Sequence, residues 1–339
     1  MISRDTVLIV SQDYELFFHR SGSVEKCLFE PCDALLESAA RHGYRITFYV
    51  DAGMLLRMAQ EARRHAALAS DLDRIRKHLS AIAGAGHDIG LHVHPHWEDA
   101  RFDGTAWDFE KTRYRLGDFT PAEADEIVRG YAGALGEACD TAVSSYRAGG
   151  FCVEPFEWIS AALVDTGIDV DSSVVPGARL RDGVKGFDFR AVPETDWWLF
   201  SRSPAAAAGD GRFLEIPVTP QKLPMSYYWR RLASRLASRP GPTTFGDGSA
   251  RKIGTGEALR RLAGMSRLAE ASIDEPKADE LDRLTRRLPN RKILHVMGHP
   301  KNLSRRSLNR FETMLEARGL ERFEDVASAA RLIRRGDLA

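Results

Sequence analysis

The sequence has no long apolar run: nothing in its 339 residues approaches the ~18 consecutive apolar positions that a membrane-spanning helix needs. At the start, MISRDTVLIVSQDYE, the run TVLIV gives way at once to polar residues, too short for the apolar core of a secretory signal. A cytoplasmic protein is therefore expected. Net charge is also missing, since Lys+Arg and Asp+Glu both number 48. With no global field to recruit nucleic acid or anionic membrane, no nucleic-acid partner is expected, and a charged partner must be met locally. Cysteine is scarce: Cys27, Cys32, Cys139 and Cys152 contain no C-x-x-C pair. That excludes a zinc knuckle and a disulfide framework and leaves reduced thiols. No fixed-period repeat is present.

What is present is alternation. Short β-rich apolar runs at residues 6–10, 45–50, 87–93, 142–148, 168–174, 213–218 and 292–299 are separated by longer amphipathic stretches. VEKCLFEPCDALLESAARHG reads as a helix ending on a glycine stop, and TPAEADEIVRGYAGALGEA as one opening on Thr120 with Pro121 at its first position. This pattern predicts α/β architecture, a parallel sheet with helical crossovers, open or closed into a barrel. Residues 200–212 and 236–256 break the pattern with Gly, Pro and small polar residues. We read 200–256 as an insertion or lid before the last strand.

In such sheets chemistry gathers at the C-terminal strand ends. There stand Asp13 and Glu15 after the first strand, and His92, His94 and His96 after the third. Arg147 follows the fourth, Asp171 lies near the fifth, and His299 follows the last. These are metal-ligand and proton-transfer groups on one rim. GHDIGLHVHPHW holds four of the chain's ten histidines, and three of them, His92, His94 and His96, fall within five residues. On a straight strand His92 and His96 would be ~13 Å apart, too far to share an ion, so that pair needs the chain to curl, which Pro95 favours. His92 and His94 lie on one face ~6.6 Å apart and form the alternative pair. Spacing alone leaves both open. His295 reads as a core histidine. Trp197, Trp198, Tyr227, Tyr228 and Trp229 are candidates for a sugar-stacking wall or for ordinary packing.

GHDIGLHVHPH resembles the second motif of the polysaccharide deacetylases, the NodB-homology family, close to G-H-E-I-G-x-H-x-x-x-H. TFYVDAG (47–53) is similar to the family's T-F-F-V strand, YRAGGF (146–151) to its arginine motif, DVDSSV (169–174) to the motif after it, and LHVMGHP (294–300) to its terminal histidine motif. The resemblance implies a distorted (β/α) barrel of about seven parallel strands and a single deacetylase domain over residues 1–339. It implies one divalent metal ion, zinc first with cobalt, nickel, iron or manganese as alternatives, held by Glu15, His92 and His96. Asp13 becomes the base, Arg147 its orienting partner, His299 the acid, and Asp171 a further catalytic candidate. Two departures stand out. The family's T-F-D-D is SQDYE here, with Tyr14 between the carboxylates, so Asp13 can replace or join Glu15 as ligand. R-x-P-Y-G is R-A-G-G-F.

These residue types suit hydrolysis of an acetamide. A metal with open positions polarises a carbonyl and lowers the pKa of water from about 15.7 to about 7. A carboxylate can take the proton, and a histidine can protonate the amine. The expected function is removal of an N-acetyl group from a sugar. Its substrate would be an intermediate of surface-polysaccharide assembly, nucleotide- or lipid-linked. YYWRRLASRLASR suggests peripheral contact with an anionic membrane, or a basic grip on a phosphate. The alternatives are another C–N hydrolase acting on a cyclic amide or other small molecule, a His-x-His amidohydrolase using His92 and His94, and a non-catalytic carbohydrate-binding relative.

Overall fold

The structure, a computed structural model, describes residues 5–236, 243–250, 268–288 and 291–338. Nine strands form the main sheet. They are β1 Val7–Tyr14, β2 Ile46–Asp51, β3 Asp88–Val93, β4 Ser145–Ala148, β5 Val170–Asp171, β6 Trp198–Phe200, β7 Phe213–Glu215, β8 Ile293–Gly298 and β9 Arg322–Glu324. Their order is β6-β7-β5-β4-β3-β2-β1-β8, with β9 paired to the first residues of β1. Every pairing is parallel except that of β6 with β7.

The sheet curls, and its two sides meet beyond β7. There Val218 N–H donates to Val174 O and Thr219 N–H to His295 O, while Thr219 Oγ1 accepts from His295 N–H. The architecture is thus the expected distorted (β/α) barrel, with an irregular seam where the backbone bonds replace a regular ladder. All seven expected strands are present, although the one expected over 168–174 keeps ladder pairing only at Val170–Asp171. β6 and β9, of three residues each, are too short for a period to show in sequence.

The two-residue period of β1 divides the core. Leu8, Val10 and Tyr14 face outward into the main core beneath the helices, while Val7 and Ile9 face inward with Tyr49, Val170, Leu214 and Ile293. Outside pack α1 Glu30–His42, α2 Ala52–Glu61, α3 Ala66–Gly84 and α4 Pro121–Ala138. α1 ends on Gly43 at φ 75°, a left-handed turn that glycine adopts without a Cβ clash. α4 opens with the Thr120/Glu123 capping box and Pro121 in its first turn. The C-terminal helix Val326–Arg335 contributes Val326, Ala329 and Ala330 to the inner cluster, and so seals the barrel end opposite the rim of Asp13 and His92.

The stretch expected as an insertion or lid, 200–256, carries several elements. Residues 201–212 turn back within the β6–β7 hairpin, and Ala208 N–H donates to Leu199 O there. Residues 216–219 complete the barrel seam. Met225–Leu236 is a helix, and residues 243–250 run along the rim, where Gly246 N–H donates to Lys301 O and Ser249 bridges Arg20. Residues 237–242 and 251–256 lie outside the described residues, as do the side chains of Arg230, Arg231 and Arg235 in the basic segment. Among the described residues no helix is long and apolar enough to cross a membrane. All four cysteines are buried free thiols.

Gly90 lies on the inner face of β3, where a Cβ would stand 2.6 Å from the Tyr49 ring and 2.8 Å from Ser145 Oγ. Gly90→Ala is therefore expected to cost about 1–3 kcal/mol of stability through overpacking. Denaturant unfolding of the purified variant measures this, and a loss below about 0.5 kcal/mol, the scale of a surface change, would show that the barrel interior has slack.

Candidate active site

β1 runs further than its apolar residues suggest, to Tyr14, so Asp13 is inside the strand and Glu15 immediately beyond it. Strand alternation turns Ser11, Asp13 and Glu15 inward and Tyr14 outward. The Tyr14 hydroxyl meets His78 Nδ1 at 3.1 Å on the helix side. The intervening tyrosine of DYE thus allows both carboxylates to face one site, both of them buried.

β3 works in the same way. Ile89, Leu91 and Val93 enter the outer core, leaving His92 and His94 on the inner face. His92 Nδ1 lies 2.9 Å from the carbonyl of Arg147, so this nitrogen carries the proton and donates. Nε2 is left bare, buried and without a hydrogen-bond partner, 3.5 Å from Glu15 Oε2 and 3.7 Å from Asp13 Oδ2. His94 Nε2 is 2.8 Å from the same Glu15 oxygen.

His96 goes elsewhere. The backbone is extended through His94, and Pro95 then starts the 3-10 turn Pro95–Asp99. That turn stacks the His96 ring on Tyr114, with centroids 5.1 Å apart and planes 5° apart, and sets it 4.4 Å from the Phe18 ring. Burial in this aromatic box keeps His96 neutral, its pKa well below the usual imidazole value. The expected pairing of His92 with His96 is therefore not the one that the geometry brings together. The alternative pair is: Glu15, His92 and His94 offer ligand atoms all within 4.8 Å of one another.

One carboxylate and two imidazoles form a donor set suited to zinc and its neighbours. His92 Nε2 has no hydrogen-bond partner; burial opposes its protonation, but the Asp13 and Glu15 carboxylates outweigh burial and raise its pKa, so the site attracts a cation and a metal could take the proton's place. The residues fit the implied ion.

Arg147 organises the wall below. It has no exposed surface, and its Nη1 donates to Asp13 Oδ1 at 2.8 Å. Nη2 donates to Ser11 Oγ at 2.9 Å and Ser172 Oγ at 3.0 Å, Nε donates to Ser172 O at 2.9 Å, and the guanidinium lies 4.1 Å over the Tyr49 ring. Burial alone would raise the Asp13 carboxyl, but Arg147, His92 and His299 together hold it below its ordinary value. His295 is the core histidine expected, fully buried with Nε2 2.9 Å from Ser11 Oγ.

Across the rim, His299 Nε2 stands 3.7 Å from Asp13 Oδ2 and 3.6 Å from Glu15 Oε1. Asp274 grips this histidine twice: Oδ1 accepts from the His299 backbone N–H and Oδ2 lies against Nδ1, both at 2.7 Å. Burial works against the imidazolium, but Asp274, Asp13 and Glu15 outweigh it and raise the His299 pKa to about 9.

Lys301 is buried beside it, and its Nζ donates to Glu15 Oε1 at 2.9 Å. Burial would raise Glu15, yet Lys301 and the two imidazoles hold it well below the carboxylate range. Asp274 and Lys301 were not among the residues expected from sequence. Lys301, in GHPKN, is close enough to His299 to have signalled itself. Asp274 sits 25 residues upstream of its partner, and no pattern marks it.

These groups open onto a cavity of about 650 Å³, lined also by Phe18, Tyr114, Phe151, Lys185 and Val184. The aromatic residues expected as a stacking wall are not among its lining. Trp198 is buried, its Nε1 donating to Pro204 O, Tyr227 is buried, and Trp229 is 61% exposed. Phe17, Phe18, Tyr114 and Phe151 supply the rings at the cavity.

Asp171 is placed differently from the other candidates. It stands in register with the outward-facing Tyr146 and with Glu215, and its Oδ1 accepts from Ser173 Oγ at 2.5 Å. Burial raises both carboxyls, Asp171 to about 6 and Glu215 well above its usual value.

The chain is similar to solved carbohydrate deacetylases. A family 4 carbohydrate esterase from Streptomyces lividans, in complex with acetate, aligns at 10% identity over 94% of this chain and 91% of its own, with a TM-score of 0.40. Peptidoglycan deacetylase from Bacillus subtilis aligns at 9% identity over 99% and 96%, TM-score 0.42. A CE4-family pseudoenzyme from Bacillus anthracis aligns at 9% identity over 95% and 64%, also at 0.42. No family model and no curated protein matches the sequence.

The placement of Asp171 generates a prediction of its own. Its folded pKa of about 6 exceeds the ordinary aspartate value of 3.8, so the folded state binds more protons between these limits. Its contribution to stability is greatest at low pH, declines as pH rises from about 4 to about 6, and is level above. Asp171→Asn should flatten that decline in thermal unfolding while leaving zinc affinity within about threefold of wild type, since Asp171 takes no part in the ligand group. A tenfold loss of zinc affinity would instead place Asp171 in the site.

Proposed function

We propose that this protein is a metal-dependent hydrolase that removes an acetyl group from the nitrogen of a sugar. The observation that carries the reading is the opposition, above one ligand group, of two differently tuned proton-transfer residues: Asp13, held ionised by Arg147, and His299, held protonated at neutral pH by Asp274. A divalent ion held by Glu15, His92 and His94 would supply Lewis acidity and lower the pKa of a water.

The chain's own residues do the rest. Asp13 Oδ2, the oxygen not bonded to Arg147 Nη1, is free to accept a proton from the attacking water. Arg147 fixes the direction of that oxygen while keeping the carboxylate available at any neutral pH. His299 presents Nε2 toward the same space and donates its proton to the departing amine, which is a poor leaving group until protonated. Asp274 stays bonded at Nδ1 and keeps the ring aimed. The aromatic walls of Phe18 and Tyr114 limit water around the reacting amide, which strengthens these charge interactions.

We infer further that the substrate is a short unit, a nucleotide- or lipid-linked sugar in preference to a long polymer. Support comes from the cavity's limited volume and its bounding by the hairpin Arg179–Arg181 and Gly186–Asp188. The same bounded pocket favours, as second reading, a different C–N hydrolase acting on a small cyclic amide.

Zinc-loaded protein incubated with N-acetylated mono- and disaccharides and nucleotide-linked N-acetyl sugars should release free acetate. Asp13→Asn should lower the rate by about 10²–10⁴-fold, the range for losing a general base, with metal content unchanged. Hydrolysis of cyclic amides without acetate release would select the second reading. Failure to turn over either class by metal-loaded protein would count against both.

A further inference from the structure

The His94 ring stands against Glu15 without any hydrogen bond that orients it from the other side: its Nδ1 is buried and has no partner. His92, by contrast, is aimed by its bond to the Arg147 carbonyl. Packing must therefore hold His94. Phe18 lies 4.6 Å from its ring centroid, and the rings of His92 at 4.7 Å and His96 at 5.1 Å bound two other sides.

The Tyr114 ring stands 5.7 Å away, and the side that these rings leave is Gly149. A Cβ built there would lie 2.4 Å from Nδ1, 2.6 Å from Cε1 and 2.7 Å from Cγ of His94, far inside van der Waals contact. Backbone strain does not require this glycine, since its φ lies outside the left-handed region; its neighbour Gly150 is the one at φ 59°. What Gly149 provides is absence of volume. Gly150 serves the adjacent ring, because a Cβ there would lie 2.9 Å from the hydroxyl of Tyr114, the residue that stacks on His96.

Resting on the hydrolase reading above, we propose that Gly149 is the positioning residue that selects His94 as second imidazole of the metal centre. It acts by leaving free the volume in which that ring stands beside Glu15. Any side chain at 149 drives the ring into Phe18 or onto the carboxylate and removes one donor from the set. The turn that carries Gly149 follows β4 directly, so the strand that supplies Arg147 to Asp13 also supplies the space for His94.

The test uses the full-length chain with Gly149→Ala, His94→Ala, both together, and His96→Ala. Zinc affinity by competition titration and the visible spectrum of the cobalt-loaded protein read the centre directly. Gly149→Ala and His94→Ala should each weaken zinc binding by about tenfold or more, the scale for disturbing the support of a ligand, and alter the cobalt spectrum. His96→Ala, which removes one wall of the His94 ring but no ligand atom, should weaken zinc binding less than His94→Ala does, and the reverse order would overturn the choice of His94.

Thermal unfolding of metal-free protein separates this from general damage. The added methyl should destabilise the wild-type background but not the His94→Ala background, where the ring is gone and the backbone accepts alanine. Wild-type zinc affinity retained by Gly149→Ala, or equal destabilisation in both backgrounds, overturns the proposal and leaves the hydrolase reading standing. A wild-type protein that binds neither zinc nor cobalt overturns both.

Discussion

A guanidinium removed from water must place its donors on acceptors, because an uncompensated buried charge costs about 3–5 kcal/mol when one partner is lost. Arg147 meets that demand with Asp13, Ser11 and Ser172, and its own carbonyl receives His92. One residue of β4 therefore ties together β1, β3 and the segment after β5. The rim can hold its shape only while that set of bonds is complete. The packing of Arg147 over Tyr49, and of Tyr49 over Gly90, carries the constraint down into the barrel interior.

Above this layer the two oxygens of Glu15 have separate partners. Oε1 meets the Lys301 ammonium, and Oε2 faces the imidazoles. Lys301 thus keeps the carboxylate ionised and fixes its rotation, so that a ligand atom is presented without help from an ion. His299 is handled likewise: Asp274 takes one ring nitrogen and the backbone N–H together, leaving a single nitrogen pointed at the reacting space. Asp13, Glu15 and His299 each reach the cavity already oriented by a partner of opposite charge, the preorganisation that the proposed hydrolysis would draw on.

Much of this was legible in the sequence because strand alternation and strand-end chemistry are local signals. The seven runs with apolar periodicity all became strands, and Asp13, Glu15, His92, Arg147 and His299 converge on one rim. What stayed hidden depends on contacts between distant segments. Asp274 meets His299 only through the path of residues 271–276 along β8, and the barrel seam at Thr219 is made by backbone groups that any sequence would supply. The choice between His94 and His96 turned on whether the strand stays extended past His92, which Pro95 does not decide by itself. Asp171 reads as a strand-end acid, but its register with Tyr146 sends it outward; a one-residue difference in phase reverses the face.

The same phase argument unites the two motifs that build the centre. DYE and HVH each place two functional groups at i and i+2, so both pairs project from straight strands onto the inner face, while Tyr14 and Val93 between them enter the outer core. Adjacent carboxylates would point to opposite faces of such a strand, and imidazoles four apart would need a turn to converge. A chain that spaces its carboxylates two apart on β1 gains a site facing β3 without curling either strand. It must then accommodate an imidazole beyond the end of β3, against the neighbouring strand's turn. RAGGF begins its turn with a glycine at that point, so the departure in the arginine motif and the one in the carboxylate motif answer a single geometric requirement.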